Sequence, residues 1–296
     1  MPYAQESASF LFIALICAFI EYAWRRRKGL GYDLGSLGGH LGIMVGVAIS
    51  RGLTGVLMAG VLFASYSLAP VNWDLADWKT WVVGFFVLDF FYYWQHRFGH
   101  EVRWGWAAHS VHHSTNEFTL PASFRLSWLS FFSLSWLVYI PMTLAGFSPV
   151  LITVLLAVNL RFQYFLHTEA IGKLGALEWI FNTPSHHRVH HGSNPEYLDK
   201  NYGGVLIVFD RLFGTFAEER DENPVVYGLT KRLESNNPFV IVFQEWINMA
   251  RASLRARTPR QLLRVLFGRP SDDQPTSSKA LNSESSNPAA AKPASG

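Results

Sequence analysis

Charge and sulfur are what this chain has least of. Asp, Glu, Lys and Arg make up 16% of its 296 residues, against roughly 25% in ordinary soluble proteins. Hydrophobic residues reach 49%, and they fall in long runs, which points to a membrane protein. The single cysteine, Cys17, lies inside one of those runs, so a disulfide framework is excluded. A formal net charge of +3 is too small to suggest a nucleic-acid partner. No HExxH occurs, which removes the helix-borne general base of a zinc peptidase. The first basic cluster follows the first apolar run instead of preceding it, the reverse of a signal peptide.

The runs predict an all-α integral membrane bundle of about five transmembrane helices. Ser9 to Trp24 is apolar apart from Glu21 and ends at Arg25-Arg26-Arg27-Lys28, which places that end in the cytoplasm. Leu34 to Leu68, interrupted by His40 and Arg51, is a second span, and Trp78 to Trp94, carrying Asp89, a third. Arg97 and Arg103 follow the third span, so it too ends in the cytoplasm. Leu126 to Leu166, broken at Pro141 and at Gly146-Phe147-Ser148-Pro149, is long enough for a hairpin of two spans that returns the chain to the same side. The expected layout is transmembrane helices over residues 1–95, a catalytic region over 96–269 that includes the hairpin at about 126–166, and a disordered tail over 270–296. Pro238 to Arg257 reads as an amphipathic helix with Phe239, Phe243, Trp246, Ile247 and Ala250 on one side. It either lies on an anionic leaflet or caps the catalytic region. Tyr202 to Asp210 is either a short helix or a strand.

Histidine is what the chain has in quantity and in pattern. Of eleven, two form His96-Arg-Phe-Gly-His100, three form His109-Ser-Val-His112-His113, and four form His186-His187-Arg-Val-His190-His191. Spacings of three and four place imidazoles on one helix face. The span assignment puts all three clusters and His167 on one side of the membrane, beside the cytoplasm. Imidazole serves zinc, copper, iron and nickel alike, so ligand number is the better guide. A catalytic zinc takes three protein ligands, whereas eight or nine histidines imply two ions. Two redox-active irons suit an apolar substrate that offers no bond to hydrolyse.

Asp89-Phe-Phe-Tyr-Tyr-Trp-Gln-His96, with the HxxxH and the His109 cluster that follow, resembles the fatty acid hydroxylase (sterol desaturase) superfamily. Asn182-Thr-Pro-Ser-His186 through Gly192, Asp199-Lys-Asn-Tyr-Gly-Gly204 and Phe213-Gly-Thr-Phe216 narrow the resemblance to the alkylglycerol monooxygenase branch and its bacterial relatives. The resemblance implies a membrane-embedded di-iron oxygenase that inserts one oxygen atom of O2 into a lipid C–H bond, or a desaturase on the same site. It sits in a bacterial inner membrane or endoplasmic reticulum, with its catalytic face cytoplasmic. Electrons come from a redox partner protein or a reduced cofactor. Motif matching makes His96, His100, His109, His112, His113, His187, His190 and His191 metal ligands. Some relatives carry a further HxxxH before the last cluster. Here Gln163 takes its first position and His167, also an expected ligand, its second. Gln163 would ligate weakly or orient a ligand through its amide. An acidic pair follows the second cluster in the animal enzymes, and Ser114-Thr-Asn-Glu117 keeps one acid, so pterin, iron–sulfur and flavoprotein donors all stay open.

Among the neighbours, Asp89 lies two helical turns before His96, placed to hold the free N–H of a ligating imidazole or to pair with Arg51 or Arg161. Glu117, Arg125, Glu169, Asn182, Asp199 and Asn201 are further candidates for supporting roles. His186 falls outside the HxxHH frame, and His40 lies outside the set.

Overall fold

The computed structural model describes residues 2–270, which are helical with three isolated β-bridges and no strand among them. The expected disordered tail lies outside the described residues. Three long helices open the chain: α1 (Pro2–Arg27), α2 (Leu34–Tyr66) and α3 (Trp78–Glu101). Asp33 and Asp77 cap α2 and α3 by accepting from the main-chain N–H groups of Gly35 and Lys79. The remainder comprises α4 (Arg103–His113), α5 (Ile140–Leu144), α6 (Pro149–Tyr164), α7 (Pro184–His190), α8 (Val208–Phe213), α9 (Pro238–Arg255) and α10 (Pro259–Phe267). The stretch Tyr202–Ile207 is a loop that leads into α8.

Among the described residues, α2 is the one helix that is both long and apolar enough to cross a membrane. Its 33 residues span about 50 Å at 1.5 Å each. Large apolar side chains also stand exposed along α1 (Phe12, Leu15, Phe19) and α3 (Val82, Val83, Phe86). The expected two-span hairpin takes a different form. Its first arm is a series of turns, a 3-10 segment (Ser135–Tyr139) and the five-residue α5, and only the second arm, α6, is a regular helix. Serine explains the break. Ser133 Oγ donates to the Ser130 carbonyl, the N–H of Leu129 bonds to Ser127 Oγ, and that of Ser135 bonds to Ser133 Oγ. These local bonds compete with the helical ladder, and Leu134 takes a left-handed φ of 58°.

Three apolar clusters assemble the helices. Leu88, Leu151 and Leu155 join α3 to α6, and Ile43, Val111 and Val242 join α2, α4 and α9. Ala14, Leu120 and Tyr164 hold α1 against the body. Packing on α2 and α4 also turns α9 from its expected face. Ile241, Val242 and Met249 are buried, Phe243 and Trp246 half-buried, and Phe239, Ile247 and Ala250 exposed. Thus α9 caps the histidine-bearing helix α4.

Trp128 packs across α2, where its indole donates to the Ile43 carbonyl at 2.9 Å. A Cβ at Gly46 would lie 2.1 Å from that ring, so only glycine admits it. Gly46→Ala should destabilise the chain by about 1–3 kcal/mol, as overpacked cores do. The expected result is a lower thermal midpoint in detergent with unchanged metal content.

Candidate metal centre

Helix α3 stops at Val102, whose extended backbone lets α4 fold back along it. His96 and His100 on α3 therefore face His109 and His113 on α4. Thr183 caps α7 with Pro184 in its first turn, and that short helix carries the third cluster. Nine histidines meet in two groups: His96, His100, His109, His113 and His190, and His112, His167, His187 and His191.

Helical geometry explains the division. Residues four apart differ by about 40° around a helix, whereas one three positions on lies about 60° to the other side. On α4 the pair His109/His113 enters the first group and His112 turns to the second. On α7 the pair His187/His191 enters the second group and His190 turns to the first. Each HxxHH thus gives two rings to one group and one to the other. The groups touch where His113 stacks on His191 with ring centroids 4.2 Å apart.

Main-chain carbonyls set the tautomers. The Nδ1 atoms of His96, His112, His167 and His190 lie 2.8, 3.3, 2.7 and 2.9 Å from the carbonyls of Tyr202, Arg125, Gln163 and Lys200. A carbonyl only accepts, so each Nδ1 carries the proton and each Nε2 presents a lone pair. The Nε2 atoms of His112 and His167 then face each other at 3.1 Å. Two lone pairs at that distance repel unless a proton or a metal ion stands between them. Protonation is disfavoured here. Burial lowers His167 to about 4 and holds His112, with His167 beside it, well below the usual imidazole range.

A metal fits. Rings bound to one ion at about 2.1 Å bring adjacent nitrogens to about 3.0–3.4 Å. His96–His109, His109–His113 and His167–His187 approach Nε2 to Nε2 at 2.9, 3.2 and 3.1 Å. Buried Nε2 atoms of His100, His190 and His191 have no hydrogen-bond partner among the described residues.

The loop 199–206 delivers two of the four carbonyls and is itself clamped. The Asp210 carboxylate accepts from the N–H groups of Tyr202 and Gly203, both at 2.7 Å, and from Thr215 Oγ1. Asn201, left-handed at φ 57°, donates through Nδ2 to the carbonyls of His186 and Ala217. Asp89 accepts from the N–H groups of Val205 and Leu206 at 3.0 and 2.9 Å and from Asn159 Nδ2. Gly204 leaves room for that clamp: a Cβ there would lie 2.4 Å from Asn159 Nδ2.

These bonds correct several expectations. Asp89 holds neither an imidazole nor an arginine, because both of its oxygens are committed to the loop. Gln163 does not offer its amide to a metal. Its side chain accepts from the Tyr92 hydroxyl and donates to Asn159, while its main-chain carbonyl orients His167. Glu117 accepts from the Asp33 N–H, away from the rings. Asn182 donates to the Gly203 and Gly204 carbonyls and so supports the loop. Arg125 donates to His40 Nδ1, Ser114 and Ser36, which keeps His40 outside both groups. Glu169 pairs with Arg25 at 2.6 Å, and Asp199 lies 3.8 Å from His100 Nδ1. His186 is buried beside Phe216, outside both groups.

Asp210 is the supporting residue that sequence reasoning missed. The available signal was Asp199 and Asn201 flanking Lys200 ahead of two glycines, a pattern suited to left-handed turns. His112→Ala should lower bound metal by about one ion per chain, whereas His186→Ala should leave it unchanged. Asp210→Ala, which releases the N–H groups of Tyr202 and Gly203 and so loosens the peptide whose carbonyl orients His96, should weaken metal affinity about 10–100-fold. Elemental analysis and chelator competition on the purified chain check all three.

The fatty acid hydroxylase family model matches residues 81–215. An alkylglycerol monooxygenase of Xenopus tropicalis is 40% identical over 254 residues, which cover 83% of this chain and 54% of that protein. The Homo sapiens alkylglycerol monooxygenase is 45% identical over 182 residues, 62% of this chain and 40% of its own length. Ornithine lipid hydroxylase OlsE of Rhizobium tropici is 24% identical over 262 residues, 85% of this chain and 78% of its own. The chain spans about half the length of the alkylglycerol monooxygenases it matches. No solved structure gives a significant match. The region that gathers the histidines is the one that the fatty acid hydroxylase family model matches.

Proposed function

We propose that this chain is a membrane-bound di-iron monooxygenase that hydroxylates a C–H bond of a lipid, using O2 and an external electron donor. The observation that carries this reading is the division of nine imidazoles into five and four around buried, opposed lone pairs. His96, His100, His109, His113 and His190 would hold one iron, and His112, His167, His187 and His191 the other. Iron bound there supplies the one-electron chemistry that O2 activation and attack on an unactivated C–H bond require.

The protein's own part is positional. Carbonyls of Arg125, Gln163, Lys200 and Tyr202 fix four rings in one tautomer, so that ligand nitrogens need no deprotonation at neutral pH. Phe118 covers the second group, with ring centroids 5.5 Å from His167 and 5.1 Å from His191, and Tyr227 stacks on its outer face at 5.0 Å. This aromatic pair keeps water off the rings. The second group has four histidines against five, because the Gln163 amide is held by Tyr92 and Asn159, and it is the side on which a substrate is best admitted.

Of the five expected spans, we place α1, α2 and α3 across the bilayer, with their exposed apolar faces toward lipid. The segment 126–166 is a shallower hairpin that enters and leaves on one side. The basic residues Arg25–Lys28, Arg97 and Arg103 support a cytoplasmic position for that side and for the histidines. The division at residue 95 is functional and not a structural seam, since α3 carries Asp89 on one side of it and His96 on the other.

The test is to purify the full chain in detergent, measure iron and zinc, and assay oxidised lipid with and without O2. About two irons per chain and O2-dependent product are expected, with at least a hundred-fold loss of product in His112→Ala. Stoichiometric zinc in an active, O2-independent preparation would sink the reading.

A further inference from the structure

A cavity of about 370 Å³ lies between α1 and α2. Its walls are apolar apart from His40 and the rings of Tyr22, Tyr32 and Tyr164, and the polar atoms of those groups are largely spent on the protein. His40 Nδ1 accepts from Arg125 at 2.8 Å and its Nε2 lies 3.4 Å from Ser36 Oγ. The Tyr164 hydroxyl donates to the Ala14 carbonyl, and that of Tyr22 accepts from Arg26. What remains toward the cavity is hydrocarbon and ring face, so the chemistry that fits it is an alkyl chain.

Position decides which chain. Along α1 the cavity runs from Leu11 to Tyr22, roughly 16 Å at 1.5 Å per residue. One leaflet of the roughly 30 Å hydrocarbon core is about 15 Å deep. Its rim is formed by Leu15 and Phe19 of α1 and Leu34 and Leu41 of α2, which are all exposed and continuous with the lipid-facing sides of those helices.

The inner wall is linked to the second histidine group by three routes. Tyr164 lies three residues before His167. Pro121 and Phe124 continue the segment whose Phe118 stacks on His167 and lies tilted against His191. His40 binds Arg125, whose carbonyl orients His112. The outer wall is tied to the same place. Glu21 of α1 accepts from the Leu120 N–H and from Thr168, next to His167, and Arg25 pairs with Glu169.

We propose that this cavity holds one hydrocarbon chain of the lipid substrate, admitted from the bilayer between α1 and α2, with Ala14 and Ala18 setting its girth. The proposal deepens the oxygenase reading and rests on it. Ala18 stands opposite the α2 wall, so a large side chain there fills the space without displacing a histidine of either group.

The experiment uses the full chain in phosphatidylcholine nanodiscs doped with a phospholipid bearing a diazirine on its alkyl chain. After illumination, adducts are mapped by mass spectrometry, and iron and O2-dependent product are measured on the same preparation. Adducts are expected on cavity residues of segments 11–22 and 34–44. Ala18→Trp should reduce both those adducts and the product at least tenfold with iron unchanged. Met44→Ala, which enlarges the deep end, should shift product toward longer chains, and Phe86→Trp on the outer face of α3 should change neither readout. If Ala18→Trp abolishes the adducts but leaves product formation intact, the cavity holds a structural lipid and the proposal fails. Adducts spread evenly over the outward faces would also overturn it. A wild-type chain that gives cavity adducts and no O2-dependent product would defeat the oxygenase reading, and with it the substrate role.

Discussion

Imidazole nitrogens that face one another out of reach of water are the constraint on which this structure turns. When Nδ1 of both His112 and His167 is committed to a carbonyl, the nitrogens that meet at 3.1 Å are both acceptors. An arrangement of this kind opposes folding unless a cation balances it, because buried polar groups without partners are costly. Burial makes a proton a poor choice of cation, which leaves a metal. The consequence runs outward from the rings. Elements that contribute no ligand, among them the loop 199–206 and the Arg125 segment, exist in their observed form because they must offer a carbonyl at a fixed point.

The carboxylates are arranged around that need. Many ligating histidines are oriented directly by a carboxylate, but here Asp89 and Asp210 act one step further out. Together they hold the N–H groups of Tyr202, Gly203, Val205 and Leu206. An acid bonded to an imidazole would push negative charge onto the ligand, whereas a carbonyl fixes the tautomer and leaves the ring neutral. The nine-nitrogen set therefore compensates little of the charge of any dication it holds. Asp199, 3.8 Å from His100, is the nearest departure from that rule, and it is shared with Arg269 at 4.0 Å.

Ligand spacing is local, and for that reason it was legible. HxxxH and HxxHH need only the helical repeat to declare a common face, and the family motifs add the partner clusters. The same repeat explains why His186, about 100° from His187, falls outside. Roles that depend on contacts between distant segments could not be read this way. Nothing within a turn of Asp89 says that its oxygens meet residues 205 and 206, and its alternatives, an imidazole or an arginine, were reasonable for a buried acid on that face. Gln163 was read as a side chain although its contribution to His167 is its carbonyl. The hairpin was judged by hydropathy, which is blind to the serine hydroxyls that turn the chain between Ser127 and Ser135. For α9 the periodicity was real, but packing against α2 and α4 chose a neighbouring stripe.

The first helix illustrates how the proposed membrane anchor and the support of the candidate metal site can share one element. A helix that merely tethered a soluble domain would need no buried acid, yet Glu21 is only 3% exposed and reaches the segment that leads to Phe118. Arg25, in the basic cluster that closes α1, is also nearly buried and bonds to Glu169, two residues after His167. In the proposed topology the basic cluster of α1 thus also ties that helix to the candidate metal centre. The proposed lipid substrate would make this coupling useful. Its chain stays in the apolar phase, and the oxidising site must be brought to the edge of that phase without admitting water. Holding α1 at Glu21 and Arg25, with Ala14 and Ala18 beneath them, leaves a cavity lined by hydrocarbon whose inner wall includes Tyr164, three residues before His167.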